Sequence, residues 1–340
     1  TSFFVSQLDP EELTMLLPVR VMAVHRAGLD VKGQDFEGLI PPFRGSESDD
    51  ESFATVGDWL LLEPGVFRPI RLLQRKSLFK RRAAGTGRKL QLIAANVDTL
   101  LIVTSCNQDF NIARLERYLA LAREAAVTPV IVLTKADLTD EVHDFVRDAT
   151  ALLPNLVVEV VDARDRKGVE CLAVWCGRGE TVALVGSSGV GKSTLVNTLA
   201  GNTEIATAGI REDDAKGRHT TTGRTMHRIP SGGWLLDTPG MRELQLMDAQ
   251  RGIENVFDDI VSLTPQCRFK DCQHDNEPGC AVLAAVSEGR IDKKRLKRWR
   301  KLVAEETWNS ESLAERRVRE QAFGKIVKSA MQHKKRQRRE

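Results

Sequence analysis

The feature that most constrains this chain is the order of its phosphate- and base-type motifs. Thr134-Lys135-Ala136-Asp137, a pattern suited to reading a guanine edge, precedes the phosphate loop Gly186-Ser187-Ser188-Gly189-Val190-Gly191-Lys192-Ser193, and Asp237-Thr238-Pro239-Gly240 follows that loop. In the usual phosphate-loop domain that reads a base in this way, the base-reading motif comes last. Here it comes first, so the domain reads as circularly permuted, with the segment after Asp237 leading directly into whatever follows the domain.

The surrounding pattern supports such a domain. Thr99–Thr104, Pro129–Thr134, Leu156–Val161, Thr181–Gly186 and Gly233–Asp237 read as buried strands. Ile112–Ala126, Val142–Leu153, Glu170–Cys176 and Lys192–Ala200 read as helices between them, the first with Leu115, Tyr118, Leu119 and Leu121-Ala122 on its packing side. Alternation of this kind predicts a parallel sheet covered on both faces. Ligands of such sheets lie beyond the carboxyl ends of the strands, and each motif sits just after one. Upstream, Val19–Val24, Val56–Leu62 and Pro69–Leu73 are short strands broken by Gly, Pro and acidic turns. They suit a five-stranded oligonucleotide-binding barrel, and an SH3-like barrel would read almost the same. Downstream lie a Cys/His cluster and a charged helical stretch from Asp292 to about Lys328, with Leu296, Trp299, Leu302 and Val303 as its apolar stripe. The expected division is an extension over 1–17, a β-barrel over 18–97, a permuted α/β domain over 98–255 and a zinc-binding helical module over 256–340 with a basic end.

The loop from Gly186 to Thr194 has the residues a triphosphate needs. Its glycines let backbone N–H groups turn onto phosphate oxygens, Lys192 supplies charge to the β- and γ-phosphates, and the Ser193 hydroxyl suits Mg²⁺. The helix that starts there adds a favourable dipole. Asp237 is placed to hold Mg²⁺ through water, and the Gly240 N–H to sense the γ-phosphate. The Asp137 carboxylate can accept two hydrogen bonds from guanine that adenine cannot supply, and the Lys135 stem can cover the base. Thr134 stands where Asn is commoner, so a looser tether for the base is expected. Asp162-Ala163-Arg164 is a base-backing loop by position. The polar run Gly209–Gly223 is the expected mobile switch. Among Thr220, Thr221 and Thr222, Thr221 is slightly favoured as the Mg²⁺-closing residue. Met241 follows Gly240, and a thioether cannot orient water. Intrinsic hydrolysis should therefore be slow, with His219 one candidate to complete the site and a partner another.

Cys267, Cys272, His274 and Cys280 form a second constellation. Three thiolates and an imidazole suit one tetrahedral Zn²⁺, structural because four protein ligands leave no open position. Cys106, Cys171 and Cys176 sit in or beside apolar elements and read as core. A net charge of only +3 gives no argument for nucleic acid, but its distribution does. Arg75, Lys76, Lys80, Arg81, Arg82, Arg88 and Lys89 cluster without an acid among them, and Lys334-Lys335-Arg336-Gln337-Arg338-Arg339 is equally basic. Hydrophobic residues at 41% and charged residues at 29% fit a soluble globular protein with no membrane association. The opening Thr1-Ser2-Phe3-Phe4 has neither Met nor a basic signal head and is set aside from fold arguments.

These residues resemble the circularly permuted ribosome small-subunit-dependent GTPase A family, the RsgA/YjeQ type, on the permuted order together with Cys267-x-x-x-x-Cys272-x-His274-x-x-x-x-x-Cys280. The likeness covers nearly the whole chain. It implies a cytoplasmic GTP hydrolase using GTP/GDP, Mg²⁺ and one zinc. Such a protein, expected to be a monomer, binds the small (30S) ribosomal subunit and its rRNA late in assembly, is stimulated by that subunit, and leaves on hydrolysis. By motif, Lys192, Ser193 and Asp237 would handle phosphate and Mg²⁺, and Lys135 and Asp137 would read guanine. Two other classes compete: a phosphate-loop ATPase or kinase carrying Thr-Lys-x-Asp by chance, and an RNA-binding module with a degenerate nucleotide site.

Overall fold

The computed structural model describes residues 2–45, 50–82, 90–201, 224–237, 244 and 246–310. Two short helices, α1 (Ser2–Val5) and α2 (Pro10–Met15), come first; the Asp9 carboxylate caps α2 by accepting from the Glu12 N–H at 2.8 Å. Five strands follow: β1 (Leu17–Val24), β2 (Leu29–Gly33), β3 (Glu37–Ile40), β4 (Trp59–Leu62) and β5 (Pro69–Leu72). They pair antiparallel in the order β3-β2-β1-β4-β5. Val19, Val21, Leu29, Val31, Ile40, Leu60 and Leu62 turn inward and form one apolar interior. The strand order, with β1 between β2 and β4, is consistent with a five-stranded oligonucleotide-binding barrel.

A hairpin, β6 (Leu78–Arg82) with β7 (Leu90–Ala95), is a sheet of its own. Its Phe79, Ile93 and Ala94 do not enter the barrel interior. They pack into the large core that also holds Leu100, Ile102 and Leu119. This hairpin changes the reading of the basic segment. Arg75 is held by Asp58 at 2.8 Å, Lys76 by Asp98 at 3.3 Å, and Lys80 by Glu51 at 2.6 Å and Asp248 at 2.9 Å. The acids are distant in sequence, so the run looks unpaired until the chain folds. Most of its described charge is spent on internal ion pairs, and Arg88 and Lys89 lie outside the described residues.

The permuted domain is built from β8 (Thr99–Ser105), α3 (Ile112–Glu124), β9 (Thr128–Thr134), α4 (Val142–Thr150), β10 (Val157–Val160), β11 (Thr181–Val185), α5 (Lys192–Leu199), β12 (Arg224–Arg228) and β13 (Trp234–Asp237). Strands β10-β9-β8-β11-β13 are parallel, and β12 is antiparallel to β13. Along β8 the side chains alternate between faces. Leu100 and Ile102 enter one core, and Leu101 and Val103 the other. Both faces are covered, which explains why these strands are apolar throughout. The short helix expected at Glu170–Cys176 is a 3₁₀-helix over Glu170–Trp175, and Cys171 is exposed on it, not in the core as the apolar surroundings suggested; Cys106 and Cys176 are buried.

Four helices follow: α6 (Gln250–Val256), α7 (Asp258–Val261), α8 (Ala281–Ser287) and α9 (Lys293–Ser310). Helix α6 lies so close to α3 that a Cβ on Gly252 would meet the Ala120 carbonyl oxygen at 2.0 Å, a crossing only glycine permits. Leu296, Trp299 and Leu302 of α9 are buried in the same core as α3, whereas Val303, expected in that stripe, is 37% exposed. Barrel and α/β domain share one sheet through β1 and β12, with Ala23 opposite Thr225 and Val24 opposite Arg224. Beside that seam the buried Arg20 donates to the Gly57 carbonyl at 3.2 Å, the Asn96 carbonyl at 3.3 Å and Thr181 Oγ1 at 2.8 Å. Burial lowers its pKa to about 10.

Candidate functional site

The carboxyl ends of the parallel strands gather the sequence motifs at one edge. β11 runs into Gly186, β9 ends on Thr134, β10 leads to Asp162 and β13 ends on Asp237. Gly186 has φ +148°, and a Cβ there would meet the Val103 carbonyl at 2.2 Å, so the loop can leave the sheet only without a side chain. Val190 is fully buried beneath the loop, and α5 starts at Lys192. Lys192 is 9% exposed, and its ammonium donates to the carbonyl of Ser187. The Ser187 hydroxyl is held by the Arg114 guanidinium from α3.

Thr134 ties the two motifs together. It is 1% exposed, and its hydroxyl donates to the Val190 carbonyl at 2.6 Å. The threonine hydroxyl is long enough to make this bond because β9 and the phosphate loop lie against each other. Lys135 follows in the left-handed region, with φ 56° and ψ 33°, a conformation disfavoured for a residue with a Cβ. It turns the chain so that Asp137 comes out beyond the strand. There Arg164 donates from Nη2 to Asp137 Oδ2 at 3.0 Å and from Nε to Asp162 Oδ1 at 3.0 Å. Hydrogen bonds from the Arg164 side chain and backbone hold the Asp162 carboxyl below its ordinary range. The Ala163 carbonyl accepts from Thr198 Oγ1 of α5 at 2.6 Å, which pins this third loop to the helix of the first.

Thr134, Lys135, Asp137, Asp162, Ala163, the run Gly186–Ser193 and Thr194 are therefore neighbours on three adjoining loops. The backbone of Asp237 ends β13 two strands from β8, on the same edge. Its side chain, and Thr238, Pro239, Gly240, Met241, His219 and the threonines at 220–222, lie outside the described residues. Sequence reasoning missed Arg114; it placed Arg164 in the base-backing loop but not its partners, which the need to balance two carboxylates there would have pointed to. Arg114 carries no sequence signal, because its partner is distant in the chain.

The second constellation also closes. Side-chain donor atoms of Cys267, Cys272, His274 and Cys280 lie within 4.8 Å of one another. Cys267 Sγ is 3.8 Å from Cys280 Sγ and 3.6 Å from His274 Nδ1, and His274 Nδ1 is 3.4 Å from Cys280 Sγ. A tetrahedron with zinc's usual bond lengths has S···S edges of about 3.8 Å and S···N edges of about 3.5 Å. The donor set fits one zinc ion with four protein ligands. His274 is turned into place by a φ of 58°, and its ring lies 5.5 Å from that of Trp299 on α9. Burial lowers its pKa, which keeps the imidazole neutral and able to ligate. At Cys267 burial opposes ionisation, but the Val282 and Ala281 N–H groups at the start of α8 prevail and lower the thiol pKa.

Comparisons with known proteins agree with this geometry. The family model for the RsgA GTPase matches residues 72–247, beginning at the end of β5. A small ribosomal subunit biogenesis GTPase RsgA of Mesorhizobium japonicum is 52% identical over 316 residues, covering 91% of this chain and 89% of that protein. The small ribosomal subunit biogenesis GTPase RsgA 2 of Vibrio parahaemolyticus is 47% identical over 334 residues, covering 98% and 91%. Among solved structures, YjeQ from Thermotoga maritima superposes with a TM-score of 0.62 at 25% identity, over 85% of this chain and 97% of that one. YloQ, a circularly permuted GTPase, shares the fold with a TM-score of 0.59. A permuted motif order, a phosphate loop bonded to the strand that carries the base motif, and a Cys/His cluster on the segment that follows converge with these likenesses: the chain belongs to the RsgA GTPase family of GTP-hydrolysing enzymes.

Proposed function

We propose that this protein hydrolyses GTP on the small ribosomal subunit during its late maturation, holding rRNA while the triphosphate is intact and leaving once it is cleaved. The observation that carries this reading is the hydrogen bond from Thr134 to Val190, which locks a base-reading strand against a phosphate loop. In it, Asp137 and Lys135 take guanine. The loop N–H groups and Lys192 take the phosphates, and Ser193 and Asp237 are the residues that would hold Mg²⁺. Bound Mg²⁺ neutralises charge on the phosphates; the chain's own part is to orient them and to keep a cation beside them. Thr221, His219 and Gly240 remain assigned to the switch and γ-phosphate end on their sequence position alone. The protein acts as a cytoplasmic monomer.

Helix α9 supports an rRNA contact. Lys293, Lys297 and Lys301 repeat every fourth residue on its exposed side, and Lys294 adds a cation to the first turn. Like charges at that spacing repel, and cations at a helix N-terminus oppose the dipole by about 0.3–1 kcal/mol each. A polyanion across the face would turn both costs into attraction. Arg300 links the face to the Cys/His loop through Asp275 at 2.9 Å.

The test is GTP turnover with and without purified small subunits, with Lys192→Ala as the control. Turnover should rise sharply with subunits and fall by several orders of magnitude in the variant. Equal binding of the GTP- and GDP-loaded protein to subunits would refute the release step. Converting Lys293, Lys297 and Lys301 to Gln should reduce the salt slope of subunit binding by about 2–3, at about 0.7–0.9 per lost phosphate contact. An unchanged slope removes α9 from the interface.

A further inference from the structure

One turn of α3 touches both the phosphate loop and the helix that covers the Cys/His module. Arg114 reaches the Ser187 hydroxyl. Two residues on, Glu116 is fully buried, with Oε1 3.1 Å from Arg295 Nη1 and Oε2 2.6 Å from Arg298 Nε, both on α9. Arg117 pairs with Glu305, also on α9. Arg295 reaches further, to Asp259 at 2.8 Å and the Val256 carbonyl at 2.8 Å, so it clamps α7 and the end of α6 as well. The start of α3 is itself fixed, because the Asn111 side chain accepts from the Arg114 N–H at 3.0 Å.

We propose that Arg114 is a positioning residue for GTP hydrolysis and that α3 is the link through which the phosphate loop and α9 influence each other. The argument starts at Ser187, gripped by Arg114 at its hydroxyl and by Lys192 at its carbonyl. Phosphate oxygens compete with that carbonyl for the Lys192 ammonium. When Lys192 turns to phosphate, Ser187 loses one of its two restraints and its hydroxyl moves with the loop. Arg114 follows, and because it stands in the same helical turn as Glu116 and Arg117, the displacement reaches their partners on α9. A buried carboxylate between two guanidiniums resists sliding, since a shift leaves its charge unpaired. The link requires this contact to have a second discrete arrangement, as transmission between sites demands. Reciprocity follows: whatever seats α9, such as a bound polyanion, changes how Arg114 holds the loop.

This inference rests on the GTPase reading and is tested with the full chain. Wild type, Arg114→Met, Arg114→Lys and Arg117→Gln are compared for kcat, KM and hydrogen exchange in α9, with GDP and with a non-hydrolysable GTP analogue. In the wild type, exchange in α9 should differ between the two nucleotides. In Arg114→Met, kcat should fall about tenfold with KM within about twofold, and the nucleotide-dependent difference in α9 should vanish. Arg114→Lys, which keeps the charge, should recover part of both. Arg117→Gln breaks a partly buried pair far from the phosphate loop's own contacts, and should reduce the α9 difference while leaving KM unchanged. An α9 difference in Arg114→Met equal to that of wild type would overturn the link. A wild type that binds no guanine nucleotide would overturn the GTPase reading itself, and the link with it.

Discussion

At the residue scale, Thr134 joins the base motif to the phosphate loop through one hydroxyl. An amide would offer more bonding groups, but the hydroxyl already reaches the phosphate-loop carbonyl at 2.6 Å from a fully enclosed position. Thr134→Ala leaves that carbonyl without its donor and should weaken GTP binding by about 1–2 kcal/mol, roughly five- to thirtyfold, in a titration with a fluorescent GTP analogue. Thr134→Ser should restore most of it. Legibility in the sequence follows the same distinction. The phosphate loop, the base motif and the four metal-type ligands were readable because their chemistry requires fixed local spacing. Arg114 on Ser187 and Arg164 on Asp137 were not, because a long cationic side chain can reach many places and only the fold chooses one. Glu116 is an intermediate case. It lies one position from Leu115 and three from Leu119, on the inward side of α3, and a carboxylate at an apolar helical position asks for a buried cation.

At the element scale, helical and strand periodicity located the parallel strands and α3 closely, because both faces of that sheet are apolar and the pattern is strong. It failed where burial is one-sided or local. The alternation that marks a strand is lost in β6, where Lys80, Arg81 and Arg82 follow one another. The C-terminal module depends on its ligands more than on its own core. Helix α8 is seven residues long, and its N-cap is Cys280, whose sulfur accepts from the Leu283 N–H at 3.4 Å. Stripping zinc with a chelator should therefore disorder α8 and the preceding loop while the parallel sheet persists. The expected readout is loss of helical circular dichroism together with reaction of Cys267, Cys272 and Cys280 toward a thiol reagent. Cys280→Ser should mimic it, since a hydroxyl is a poor zinc ligand. If the three thiols stay protected in the chelator, the metal assignment fails.

At the scale of the whole molecule, barrel and α/β domain are joined by a buried cation as well as by chain connection. Arg20 satisfies two carbonyls of the barrel side and Thr181 at the start of β11. Arg20→Met removes those donors from a buried site, and should cost about 1.5–3 kcal/mol in urea unfolding. A loss below about 1 kcal/mol would mean that the seam is held by β-pairing alone.

The pairing of β1 with β12 carries a last consequence. β12 is the outermost strand of the nucleotide-binding half, and the barrel lies along its free rim. A protein trimmed to residues after 97 would lay bare the amide and carbonyl row of that strand, an invitation to dimerise or precipitate by strand addition. The barrel thus covers that rim where Ala23 and Val24 lie opposite Thr225 and Arg224.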